Sequence, residues 1–136
     1  MSNTRFATAI HIMTLLAKYP EDWMTSDWIA GSLNSNPAMV RKEIGILKAA
    51  GLILSRKGKE GGSKIARNGK EISIGEIFAA VQNAEVLGRK NINPNPKCPV
   101  GKDINAKLDQ LFLETDSLVN SYLSKKSLHD FAEAFR

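Results

Sequence analysis

The densest chemistry in this chain lies in the stretch Ser55 to Arg67, which reads SRKGKEGGSKIAR. Arg56, Lys57, Lys59, Lys64 and Arg67 stand against a single carboxylate, Glu60, with Gly58, Gly61 and Gly62 among them. Closely spaced cations suit the neutralisation of a polyanion, and glycines at a loop tip let backbone approach a partner without Cβ atoms in the way. A second set, Thr25, Ser35, Asn36, Ala38, Arg41 and Lys42, supplies a different chemistry. Its hydroxyls and amide can bond phosphates or base edges, and an arginine can pair bidentately with guanine. A third residue stands alone: Cys98 is the one cysteine in the chain. Nowhere does a nucleophile sit with a base, or a ligand set show metal-binding spacing, so no catalytic or metal site is expected.

The charge is not spread evenly. Residues 1–70 hold 11 Lys+Arg against 5 Asp+Glu, while residues 71–136 hold 8 against 9. The whole excess of the +5 net charge therefore belongs to the first half. That is the footprint of a nucleic-acid-binding part joined to a part with another task. The plainer reading is a solvated basic surface whose lysines and arginines guard a sheet edge against aggregation.

The elements that must position these residues follow from periodicity. Phe6, Ala9, Ile10, Met13, Leu16 and Ala17 recur at helical spacing, and Pro20 ends that helix. Thr25 caps a short second helix with Asp27 in its first turn. Asn36 and Pro37 open a third, whose buried stripe is Val40, Ile44 and Leu47, and whose left-handed stop is Gly51 followed by Leu52. Apolar runs on either side of the basic stretch make it a β-hairpin with a projecting loop. Ser73 and Glu76 have the spacing of a capping box for a fourth helix carrying Ile74, Ile77, Phe78 and Val81.

Residues 83–103 change character, with three prolines in NPNPKCP, and read as an irregular loop. Ile104, Leu108, Leu111, Phe112, Leu118, Val119 and Tyr122 then mark a long amphipathic helix, and Ser127 starts a short last one. Helix, helix, helix, basic hairpin, helix is the order of a winged helix-turn-helix. Its third helix enters the ~12 Å major groove while the wing grips the backbone or minor groove. Lys57, Lys59 and Lys64 are the expected wing contacts, with Gly61 and Gly62 at the close approach. Arg56 and Arg67 fall at its base, against phosphate or a surface carboxylate. Trp23 and Trp28 read as packing around the second helix.

The run LKAAGLILSRKGKEGGSKIARNGKEISIGEIFAAV resembles the signature of the Rrf2 family of bacterial transcription regulators. The likeness rests on Leu47 to Leu52 at the end of the reading helix, then Arg56, Gly58, Gly61 and Gly62 in the wing. The Ile65-Ala66-Arg67 phrase and the helix start from Ile72 to Ile77 complete it. The resemblance implies a homodimer, a palindromic DNA operator and a dimer contact carried by the long helix. The residues point the same way. Leu108, Leu111, Phe112, Leu118, Val119 and Tyr122 display more apolar stripe than a small domain needs, unless the helix folds back on its own domain. Many relatives hold an iron–sulfur cluster on three cysteines before the long helix. Cys98 alone cannot, since clusters take about four ligands, and no cofactor is expected.

Two roles remain open for Cys98. One is a reactive thiol sensing oxidants, its thiolate favoured by Lys97 and Lys102. The other is a half-buried loop residue held over from a cluster-binding ancestor. With one cysteine, no ~20-residue apolar run and no signal-peptide pattern, a cytoplasmic location is expected and no membrane partner. The expectation is therefore a mainly α protein with a small β-hairpin. It divides into a winged helix-turn-helix domain over 1–82, a loop over 83–103 with Cys98, and a dimerisation helix plus C-terminal helix over 104–136. Its function is that of a dimeric DNA-binding regulator, a repressor answering to an unknown effector. The rival is a winged-helix docking module that binds protein and not DNA.

Overall fold

The computed structural model describes residues 4–81 and 86–135. Its elements run α1 (Arg5–Lys18), α2 (Ser26–Leu33), α3 (Pro37–Ala49), β1 (Ile53–Arg56), β2 (Gly62–Ile65), a 3-10 turn (Gly69–Glu71), α4 (Ile74–Val81), α5 (Pro99–Ser124) and α6 (Leu128–Ala132). The expected boundary at residue 82 lies outside the described residues.

Local signals account for the helix ends. The Thr25 side chain accepts from the Trp28 N–H at 3.1 Å, and Asn36 Oδ1 accepts from Ala38 N–H at 2.7 Å with Pro37 in the first helical position. At the end of α3, Gly51 takes φ +80°. Its N–H bonds the Lys48 carbonyl at 2.9 Å, and the Leu52 N–H bonds the Leu47 carbonyl at 3.0 Å. That pair is a Schellman stop, which turns the chain straight into β1. At the start of α4 the capping box closes both ways. Glu76 N–H donates to Ser73 Oγ at 3.0 Å, and Ser73 N–H donates to Glu76 Oε1 at 3.2 Å.

The core gathers on α1. Ile12, Met13 and Leu16 are fully buried, and around them close Ile29 of α2, Val40 and Leu47 of α3, Ile77 of α4 and Leu128 of α6. Strands β1 and β2 pair antiparallel, with Ile53 opposite Ile65 and Arg56 opposite Gly62. Ile53, Ser63 and Ile65 are the buried residues of the hairpin, while Leu54 and Arg56 are exposed.

The far end of α5 is fastened to this body. Ile74 N–H donates to the Lys126 carbonyl and Leu128 N–H to the Ile72 carbonyl, each at 2.8 Å. Gly75 makes the approach possible, because a Cβ there would lie 2.8 Å from Ser124 Oγ.

One boundary differs from the sequence expectation. Helix α5 begins at Pro99 and not at Ile104, so Pro99 to Asp103 are helical and the helix has 26 residues. Proline is pre-set for a first helical position and lacks only an N–H that would have no partner there. Cys98 becomes the N-cap residue, its carbonyl accepting from Lys102 N–H at 2.9 Å.

Glu76 also receives Arg67 Nη2 at 2.5 Å. That hydrogen bond, with help from the Ser73 N–H and against a smaller desolvation cost, holds its carboxyl below the ordinary range. A carboxylate depressed on folding stabilises above its unfolded pKa, and the effect is lost as pH falls through the folded value. Glu76→Gln is therefore expected to lower unfolding free energy at pH 7 by roughly 1 kcal/mol or less, the side chain being partly exposed. The wild-type advantage should fade in urea melts as pH drops through the carboxylate range. An advantage that persists at pH 2 would contradict the assignment.

Candidate nucleic-acid interface

Helix α3 is held by one face and presents the other. Val40, Ile44 and Leu47 are buried, as the sequence periodicity requires, and Arg41, Lys42 and Ala38 are turned outward. Glu43 shares the buried stripe and was not anticipated. It is 4% exposed, and its Oε1 lies 3.5 Å from Arg5 Nε of α1. Its signal in the sequence was a carboxylate at stripe spacing between Val40 and Leu47. The pair joins α1 to the buried face of α3, while Arg41 and Lys42 are exposed and the structure gives them no ion pair with a described residue. Thr25 and Asn36 lie at the first turns of α2 and α3, their side-chain oxygens occupied as caps. Ser35 lies in the turn between, its N–H on the Ala30 carbonyl at 2.9 Å.

The wing separates into a tip and a root. At the tip, Gly58 takes φ +103° and its carbonyl accepts from Gly61 N–H at 3.0 Å. Lys57 and Lys59 are exposed there, again with no ion pair to a described residue. Gly61 and Gly62, expected at the close approach to a partner, have work inside the protein. A Cβ on Gly61 would overlap the Arg56 carbonyl, and one on Gly62, at φ +150°, would lie 2.5 Å from the Met24 carbonyl oxygen. Met24 pairs with Ser63 through two hydrogen bonds of 2.8 Å, an isolated antiparallel bridge that fastens the α1–α2 connection to the outer edge of β2.

Beside Met24 stands Trp23. Arg56 lies 4.4 Å over its ring and Lys64 Nζ 5.6 Å from its centroid. Trp23 thus packs under the wing and not around α2, whereas Trp28 meets Tyr19 edge-on at 5.8 Å near α2. Arg56 Nη2 donates to the Glu60 carbonyl at 2.6 Å, closing the base of the tip. Lys64 is at the root, 3.8 Å from Glu21 Oε2. Arg67 sits against the surface carboxylate of Glu76, as the sequence suggested.

Helix α5 carries a different surface. Phe112 is its one buried side chain among the described residues, turned in against the protein's own fold, which removes it from the exposed stripe expected of it. Leu108 and Val119 are half-buried beside it. Val100, Leu111, Leu118 and Tyr122 are exposed by 66, 52, 73 and 62%. At 3.6 residues per turn these four fall within about 40° of each other. The segment before the helix is strapped along it: Asn105 Nδ2 donates to the Asn91 carbonyl at 2.9 Å, Val86 N–H donates to Asp116 Oδ1 at 3.1 Å, and Lys90 pairs with Asp109.

A family model described as Rrf2, iron-dependent transcriptional regulator, matches residues 2–134. This chain belongs to the Rrf2 family. YwnA of Bacillus subtilis (strain 168), named as an HTH-type transcriptional regulator, is 42% identical over 130 residues, covering 96% of each chain. A solved structure described as a DNA-binding protein aligns with TM-score 0.75 at 37% identity, covering 93% of this chain and 97% of that one. The structure of CymR, described as the global cysteine regulator of B. subtilis, aligns with TM-score 0.72 at 20% identity over 100% of this chain and 98% of its own, a likeness of fold. The protein is thus a winged-helix, DNA-binding transcription regulator of the Rrf2 type. Among the described residues no helix is long and apolar enough to cross a membrane.

The iron in the family's description finds no fitting donors in this Rrf2 protein. Cys98 is the only thiol, and no three His, Cys, Asp or Glu side chains among the described residues come together as a metal site. His11 bonds Ser32 Oγ at 2.9 Å, and His129 meets Glu133 at 3.2 Å, both away from the Cys98 loop. Cys98 itself is exposed, and its thiol is held below the usual range by the backbone N–H groups of Gly101 and then Val100, in the first turn of α5. The cause is the helix start and not the neighbouring Lys97 and Lys102. Carbamidomethylation by iodoacetamide is expected to show a pH midpoint below that of a free cysteine peptide. Moving Cys98 off the helix start, by Pro99→Gly with Val100→Gly, should return the midpoint toward the peptide value.

Proposed function

We propose that this Rrf2 regulator acts as a homodimer on a palindromic operator and represses the genes beside it. The observation that carries the reading is the placement of Arg41 and Lys42 on the outward face of α3 and of Lys57 and Lys59 at the wing tip. All four are exposed and without an ion pair to a described residue. Unpaired cations on two separate elements fit a phosphate backbone on either side of a groove. Ser35, Asn36 and Ala38, at the start of α3, meet base edges or phosphate in this arrangement, with Thr25 at the flanking phosphate.

The apolar stripe of α5 supports the dimer. Val100, Leu111, Leu118 and Tyr122 pair with their equivalents about a twofold axis, and two reading helices then lie roughly 34–36 Å apart, one turn of DNA. The segment from 86 to 98 is strapped along that helix at Asn105, Asp109 and Asp116, which makes it the place where an effector would alter the spacing of the two winged domains. The location of this action is the cytoplasm.

The test is fluorescence anisotropy with duplex DNA from upstream of the protein's own gene against a scrambled duplex, over a salt series. Selective binding that weakens steeply with salt is expected. Lys57→Ala with Lys59→Ala should reduce the salt slope by about one for each phosphate that the wing no longer neutralises. Arg41→Ala should cost roughly 1–3 kcal/mol and relax selectivity. Leu118→Glu should give a folded monomer in sedimentation equilibrium and abolish tight operator binding. A Leu118→Glu protein that stays dimeric would exclude α5 as the interface.

A further inference from the structure

Trp23 has an unusual position for a tryptophan of a small domain. It belongs neither to the core cluster nor to the partly buried apolar side chains packed on it, although its neighbour Met24 does. Two cations lie over its ring. Arg56 lies over it at 4.4 Å and Lys64 at 5.6 Å. By the register of the hairpin, Leu54, Arg56, Gly62 and Lys64 share one face, and Gly62 between the two cations presents no side chain. The Met24–Ser63 pairing holds the Trp23 backbone beside that face.

A stacked guanidinium spends its flat face on the ring and keeps its N–H edge for an anion in its own plane. Among the described residues only Nη2 has a hydrogen-bond acceptor, the Glu60 carbonyl. The remaining donors of the five are available to a phosphate. Arginine also carries several rotatable bonds, and ordering them before the partner arrives removes that cost from binding.

We propose that Trp23 is a positioning residue for DNA binding: its ring holds Arg56, with Lys64 beside it, at a fixed place on the wing root so that Arg56 presents its N–H edge to a backbone phosphate. Arg56 is thus a ready-made phosphate clamp, although it is neither at the wing tip nor in the reading helix. The inference rests on the reading of the wing as a DNA contact.

Two measurements test it. The first uses the free protein. The Arg56 Nε–H resonance should be displaced by the indole ring current, remain displaced in Trp23→Phe, and return toward the position of an exposed arginine in Trp23→Leu. Trp28→Leu should leave it unchanged. The second uses a mixed-sequence 30-base-pair duplex at low salt. Trp23→Leu, folded by circular dichroism, should weaken binding by roughly threefold to fivefold, as Arg56→Ala does, while Trp23→Phe stays within about twofold. The double variant Trp23→Leu, Arg56→Ala should bind no more weakly than Arg56→Ala alone. Wild-type affinity in Trp23→Leu, or effects that add in the double variant, would overturn the proposal while leaving the wing as a DNA contact. Failure of the wild-type protein to bind any duplex would overturn the DNA reading and this inference together.

Discussion

Burial of α1 is the constraint on which the other elements depend. It touches α2, α3, α4, α6 and β2, and Ile12, Met13 and Leu16 have no exposure at all. Its partners are short. Helices α2 and α4 have eight residues each, α6 has five, and each strand has four. Helices of that length are marginal alone, and a two-stranded ribbon is not independently stable. Each forms because a face of it closes over α1 or over a neighbour that does. The orientation of the reading helix follows from the same packing. An apolar stripe alone tolerates some rotation, whereas turning α3 away from α1 would also leave the buried Glu43 carboxylate without the Arg5 cation beside it.

The wing depends on a second layer of support. Its strands are short, so its direction is set by the main chain of Met24 on one edge and by Trp23 beneath one face. Gly62 is the hinge of this arrangement, since both its φ of +150° and its approach to Met24 exclude a side chain. The tip beyond, with Lys57 and Lys59 exposed, is closed by the Gly61 N–H on the Gly58 carbonyl and by Arg56 on the Glu60 carbonyl.

Helix α5 is joined to the winged domain at one end and carries Cys98 at the other. Its C-terminal end is bonded to the start of α4 by backbone hydrogen bonds, so any displacement of α5 bears directly on the winged domain. Its N-terminal end carries Cys98, whose lowered thiol pKa is a consequence of the helix beginning at Pro99. Between the two ends, Leu111 and Leu118 leave an apolar surface exposed.

The sequence by itself determined the features that a few adjacent residues can satisfy. The caps at Thr25, Asn36 and Ser127, the Ser73–Glu76 box and the Gly51 stop each close within a handful of residues, so residue type and spacing were enough. The stripes on α1 and α3 and the order of helices and hairpin were legible for the same reason, and with them the family. What brought Trp23 under Arg56, turned Gly62 toward Met24, buried Glu43 against Arg5 and folded Phe112 inward was the meeting of segments far apart in the chain. Only the tertiary structure decided these, because periodicity says which face of an element is apolar but not which distant side chain will meet it.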